Sequence, residues 1–224
     1  MRILQAILVL VSLSGTTAFA VGSGHGLQFS ISLTTSTQND LNSWVDSLGT
    51  AGTKNFTSGY EFMADYQYRF SSSMFAMKFR PSMYSNTASG GGVDMKLNGT
   101  TFFAMLRMYP LENSFMKFFL QTGVGIASMA GEITQGGSNV AFKGDSFGVL
   151  GGMGAEFCFT GNHCLVVEGN YRYLPIPRNT VTSSSGTVSN LSYGGNGSEL
   201  EFNNNDVSTS LSGLQGVLAY GLSF

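Results

Sequence analysis

The stretch that most constrains this chain is its last eleven residues, Leu214 to Phe224. Taken in steps of two, Leu214, Gly216, Leu218, Tyr220, Leu222 and Phe224 share one face. Gln215, Val217, Ala219, Gly221 and Ser223, all small or mildly polar, share the other. A period of two is the mark of a β-strand, whose successive side chains point to opposite sides. The apolar face must meet something oily, and the rest of the chain decides what.

The same period recurs upstream, most clearly from Tyr60 to Phe70. Tyr60, Phe62, Ala64, Tyr66, Tyr68 and Phe70 take one face; Glu61, Met63, Asp65, Gln67 and Arg69 take the other. Slipping the register by one residue would turn the charges toward the oily side. In hydrocarbon a single basic side chain costs about 2–4 kcal/mol at mid-depth. Aromatics therefore face lipid and charges face an interior. Further alternating stretches run over Leu27–Leu33, Met74 to about Tyr84, Lys96–Tyr109, Ser114–Ala130, Ser146–Phe159 and Leu165–Tyr173, which makes eight in all.

Composition narrows the choice of oil. Charged residues are 11% of the chain, against about 25% in ordinary soluble domains. Beyond the first twenty residues no apolar run approaches the length of a membrane helix. Within lipid, only helices and closed barrels satisfy their own backbone hydrogen bonds. The expectation is an all-β fold, an eight-stranded antiparallel transmembrane β-barrel of up-and-down meander type.

The intervals between strands alternate in length. Long polar ones follow the odd strands: Thr34–Ser58, Ser85–Asp94, Gly131–Asp145 and Pro175–Val207. Short ones follow the even strands: Ser71–Ser73, Pro110–Asn113 and the turn between Cys158 and Cys164. A barrel with short periplasmic turns and long outer loops has this pattern. The long intervals read as flexible, solvated segments, with a short amphipathic turn from Leu41 to Leu48 around Trp44. The chain opens with Met1-Arg2, an apolar run from Ile3 to Leu13 and Ala18-Phe19-Ala20. That is the pattern of a secretory leader, with cleavage expected after Ala20 and residues 21–224 forming one barrel domain.

Parity sends ten charges inward: Glu61, Asp65, Arg69, Lys78, Arg80, Arg107, Lys117, Glu156, Glu168 and Arg172. A lumen of eight strands is just wide enough for side chains to fill, so these charges are expected to pair as a plug. Cys158 and Cys164 fall on one face of adjacent strands, as a cross-strand disulfide requires. With His163 they would supply three metal ligands and lack a fourth, so no metal site is expected. His25 and His163 lie before the first strand and in a short turn, away from the outer rim where a histidine-dependent surface enzyme would need them. The glycine clusters Gly123–Gly125 and Gly151–Gly154 lack the Lys-Ser/Thr of a phosphate loop and suit tight barrel curvature. The net charge of −2 argues against a nucleic-acid partner.

The leader, the eight alternating strands, the interval asymmetry and the terminal pattern Leu218-x-Tyr220-x-Leu222-x-Phe224 together resemble small outer-membrane barrels of the OmpA-like and OmpW-like superfamily. The resemblance implies a bacterial outer-membrane location, with lipid and lipopolysaccharide as surroundings. It also implies recognition of Leu218, Tyr220, Leu222 and Phe224 by the barrel assembly machinery. A monomer without cofactor or enzymatic activity is expected, with a structural or surface-interaction role through loops whose partner is unknown. The alternative it offers is a narrow, porin-like channel for small or hydrophobic solutes.

Overall fold

A computed structural model describes residues 24–49, 55–71, 73–160 and 162–224; the leader and its Ala20 cleavage site lie outside them. The first strand, β1 (Gly24–Thr35), is followed by a helix α1 (Asn39–Ser47). Next come β2 (Ser58–Arg69), β3 (Phe75–Gly90), β4 (Val93–Glu112), β5 (Met116–Gln135), β6 (Ser138–Thr160) and β7 (His163–Tyr173). Short pieces follow: β8 (Pro175–Ile176), β9 (Thr180–Ser185), β10 (Glu201–Phe202), β11 (Asn205–Asp206) and β12 (Thr209–Ser210). The last strand, β13 (Gly213–Ser223), pairs with β7 on one side and with β1 on the other. With β1 to β7 paired in sequence, the expected eight-stranded antiparallel barrel is closed. At the seam His25 N–H donates to the Phe224 carbonyl at 3.0 Å, and Phe224 N–H to the His25 carbonyl at 2.9 Å. Closure leaves the wall without a free edge in lipid.

Inside the wall the alternation runs as parity requires. Phe29, Ile31, Leu33, Tyr60 and Phe62 are exposed on the outside, while Glu61, Asp65, Lys78 and Arg80 are buried inside. The four strands β3 to β6 are far longer than the roughly 9–11 residues that cross a bilayer: they have 16, 20, 20 and 23 residues. They run straight through the intervals Ser85–Asp94 and Gly131–Asp145, which are therefore not long loops. Each ends in a two-residue turn, Gly91-Gly92 or Gly136-Gly137, with all four φ values positive at 59°, 80°, 57° and 87°. Two left-handed residues in succession are the turn that matches the twist of a hairpin, and glycine takes that conformation without strain.

These extensions were hidden because the polarity of the faces reverses along the strands. Outward residues are apolar up to the paired row Pro81, Phe102, Ile126 and Phe147. One row further they are Met83, Thr100, Ser128 and Asp145, and then Ser85, Asn98, Ala130 and Lys143. Meanwhile the inward positions turn apolar, with Tyr84, Ala88, Val93, Met95, Leu97, Met129, Ile133, Val140 and Phe142 all buried. The chain leaves lipid at this boundary and behaves above it as a water-soluble sheet with its own core.

That core is completed by the two remaining intervals. Leu41, Trp44 and Val45 of α1 and Phe56 pack into it, as do Leu174, Ile176, Val181, Val188, Leu191, Leu200, Val207 and Leu211. Trp44 is fully buried and its indole N–H donates to the Ser189 carbonyl at 2.8 Å. Strand β9 lies along the upper part of β6, where β7 has already ended. Thr34–Ser58 and Pro175–Val207, expected as flexible loops, instead contribute a packed cap in their described residues. Enough apolar side chains are spread through them to bury against the inverted faces of β3 to β6.

Candidate functional site: the lumen beneath the cap

Below the apolar core the inward side chains form one hydrogen-bonded network. Glu168 on β7 is its centre. It accepts from Lys78 Nζ at 3.0 Å, Arg80 Nη2 at 2.7 Å, Arg107 Nη2 at 2.7 Å and Gln121 Nε2 at 3.0 Å. Asp65 takes a bidentate pair from Arg80, at 3.0 and 2.8 Å, and an ion pair from Lys78 at 2.5 Å. Glu156 accepts from Arg107 Nη1 at 2.7 Å and from the Tyr109 hydroxyl at 2.8 Å. The Arg107 guanidinium also stacks over the Phe119 ring, 3.7 Å from its centroid.

A second knot lies toward the cap. Glu61 accepts from Arg172 Nη1 at 2.8 Å, from Gln215 Nε2 at 2.7 Å and from Ser82. Arg172 also donates from Nε to the Leu211 carbonyl at 2.7 Å, so one side chain ties the cap segment to the lumen charges. Among the network's described polar atoms, Arg80 Nη1 and Arg172 Nη2 have no protein partner. Four carboxylates thus face four cations, all buried. A balanced set presents no net charge to draw ions inward, and the fork geometry of arginine holds two carboxylates at once.

Eight of the ten parity-assigned charges meet in this network. Arg69 and Lys117 do not: their strand positions lie at the rim, where both reach Glu112, at 2.5 and 3.6 Å. These side chains are about one-quarter exposed or less, against nearly zero for the lumen set. Glu112 was placed in a turn by sequence and so was missed as their partner. Tyr109, Gln121, Asn170 and Gln215 share the network as well; each sits at an inward position that parity marks, but none carries the charge that draws notice.

Cys158 and Cys164 are directly opposite on β6 and β7 and form a disulfide with an S–S distance of 2.06 Å. Their sulfurs are therefore unavailable to a metal. His25 Nδ1 lies 2.6 Å from the Tyr66 hydroxyl, and His163 Nδ1 lies 2.5 Å from that of Tyr220. Both pairs sit on the exposed rim at the end opposite the cap. Leu218, Tyr220 and Phe224 point outward from the last strand, roughly half exposed, and Leu222 lies partly covered between them.

No protein-family model matches the chain, and no curated protein matches it in sequence. Among solved structures, one outer-membrane barrel shares its fold, and two others align with it less closely. The outer-membrane protein OprG of Pseudomonas aeruginosa superposes with a TM-score of 0.58 at 13% identity, over 91% of this chain and 97% of that one. The attachment invasion locus protein Ail of Yersinia pestis gives 0.47 at 12% identity, over 92% and 100%. Neisserial surface protein A gives 0.46 at 16% identity, over 89% and 95%. The fold is that of a small bacterial outer-membrane β-barrel.

Proposed function

We propose that this protein is a non-enzymatic outer-membrane barrel whose lumen is closed and whose role is to present a folded cap at the cell surface. Export rests on the leader, cleaved after Ala20, and assembly on the outward series Leu218, Tyr220, Leu222 and Phe224. The observation that carries the reading is the double seal. A balanced ion-pair network fills the lower lumen, and an apolar core fills the upper one. Water-filled conduction would require moving both, and either carboxylate or cation left behind would be a buried unpaired charge. The non-enzymatic part is supported by the occupation of every lumen carboxylate by cations, and by the rim positions of both histidines beside tyrosine.

Purified protein in a planar bilayer is expected to show no conductance above a detergent blank. Regular ion steps from the wild-type protein would reject the closed lumen and favour the narrow channel. One observation speaks for a solute path through the wall instead. The β2–β3 ladder skips Ala64, Asp65, Arg80 and Pro81, where the proline has no N–H to donate. Yet Asp65 and Arg80 bind each other across that same interruption, which keeps the wall shut there.

A further inference from the structure

The chain enters its last strand from the mouth of the barrel. At Gly213 the backbone bends with a φ of 150°, and a Cβ there would run into the Thr35 carbonyl of β1. Glycine alone takes that bend without strain. Just before it, Leu211 is fully buried, and its two methyl carbons lie 3.2 and 3.5 Å from where a Cβ on Gly99 would stand. Gly99 is an inward position of β4, which is four strands from β13 in either direction around the barrel. Ser210–Ser212 therefore bridges the mouth, with Leu211 seated in a notch that the missing side chain of Gly99 leaves in the opposite wall.

This bridge is held differently from the wall. Strand β13 is paired at nine positions with β1 and at ten with β7. The preceding β12 shares two pairs with β8, Thr209 with Ile176 and Ser210 with Pro175. Side chains hold the rest. Ser36 Oγ and Gln38 Nε2 donate to the Ser210 carbonyl, each at 2.6 Å, and the Ser210 N–H donates to Gln38 Oε1 at 2.8 Å. Arg172 Nε donates to the Leu211 carbonyl while its Nη1 holds Glu61 in the lumen. An element tied this lightly releases at lower cost than strands paired along their whole length.

We propose that Ser210–Ser212 is a gate strap, which swings about Gly213 and uncovers the lumen network while the wall stays paired. Leu211 is its stopper and Arg172 its latch. This gate presupposes the closed lumen proposed above and identifies the part of the seal that moves.

The test is thiol labelling of Thr101→Cys in nanodiscs, without reductant, by a small charged methanethiosulfonate. Thr101 is buried, lies one inward position below Gly99 and meets Ser82 beside Glu61. The native cysteines are bonded to each other and do not compete. Thr101→Cys alone is expected to label slowly. Adding Leu211→Ala, Gly99→Leu or Arg172→Lys should speed labelling roughly tenfold, equivalent to about 1.4 kcal/mol in the opening equilibrium. Leu211→Ala removes the stopper, Gly99→Leu fills its notch without touching a charge, and lysine cannot hold two partners as the arginine fork does. Val166→Ala, in the separate lower apolar cluster, should leave the rate slow. Circular dichroism and the gel mobility of unheated samples establish that each variant is a barrel, and the folded strap variants decide. Slow labelling in them overturns the gate, as does equal acceleration by Val166→Ala, which would mean that the whole barrel loosens. Fast labelling of Thr101→Cys alone overturns the shut strap, and joined to wild-type conductance it rejects the closed lumen too. Unresponsive strap variants of a non-conducting barrel reject the strap alone.

Discussion

Arg69 and Arg107 share a residue type and an inward phase, yet they live in different solvents. Arg107 is fully buried between Glu156 and Glu168, whereas Arg69 meets Glu112 at the wet rim. Removing one member of a buried pair strands the other, at about 3–5 kcal/mol; a rim pair contributes about 0–1 kcal/mol. Urea unfolding in lipid vesicles should therefore show Arg107→Met and Glu168→Gln losing several times more stability than Arg69→Met. The outward Phe62→Leu should lose little, since its surroundings stay apolar. Equal losses for Arg107→Met and Arg69→Met would show that depth does not matter and the network is not dry. Of the ten charges that parity turns inward, eight lie in the buried network, and Arg69 and Lys117 lie at the rim. Depth was not legible, because it depends on where each strand crosses the rim and on which side chain, here Glu112, waits there.

Between β6 and β7 the disulfide closes a very short loop, which in the chain-entropy model is worth about 2 kcal/mol. Protein denatured without reductant should take up no maleimide, and reduction should expose two reactive thiols. Two thiols free before reduction would contradict the bond. For α1 and the Pro175–Val207 segment, the expected outcome concerns Trp44. Its emission should be blue-shifted and resistant to iodide added outside, because the indole is sealed within the core. Trp44→Ala should cost about 3–5 kcal/mol as a cavity forms, read as lost protection of the cap. Strong quenching in the folded wild type would mean the segment is loose. The cap could not be read from sequence because Val181, Val188, Leu191, Leu200, Val207 and Leu211 are irregularly spaced among Ser, Asn and Gly. The hairpin extensions were missed for a different reason. Their period of two continues unbroken, but the apolar phase changes sides at the water boundary, so tracking apolar residues alone loses the strand.

At the scale of the molecule, the capped end should face outward. A cysteine placed at Ser89 or Asn203, both exposed on the cap side, should react with a membrane-impermeant maleimide on intact cells. One at Asn113, in the opposite turn, should stay silent until the cells are opened. The reverse pattern would invert the orientation. Eight strands, their order and their inner and outer faces within the lipid-facing belt were legible in the sequence, since each rests on local alternation, whereas interval length misread Ser85–Asp94 and Gly131–Asp145 as loops. The seal was legible only in its lower half. Its upper half depends on contacts between residues more than a hundred positions apart, such as Trp44 with Ser189.

The unequal strands have a further consequence. Strands β3 to β6 continue past the lipid boundary, while β7, β13, β1 and β2 stop within 11 or 12 residues. The rim is therefore a parapet along one half of the circumference and a low sill along the other. To a neighbour diffusing in the same membrane the molecule is not a round post. It has a polar rampart of Thr87, Asp94, Lys96, Glu132 and Lys143 on one flank, and on the other the strands end low.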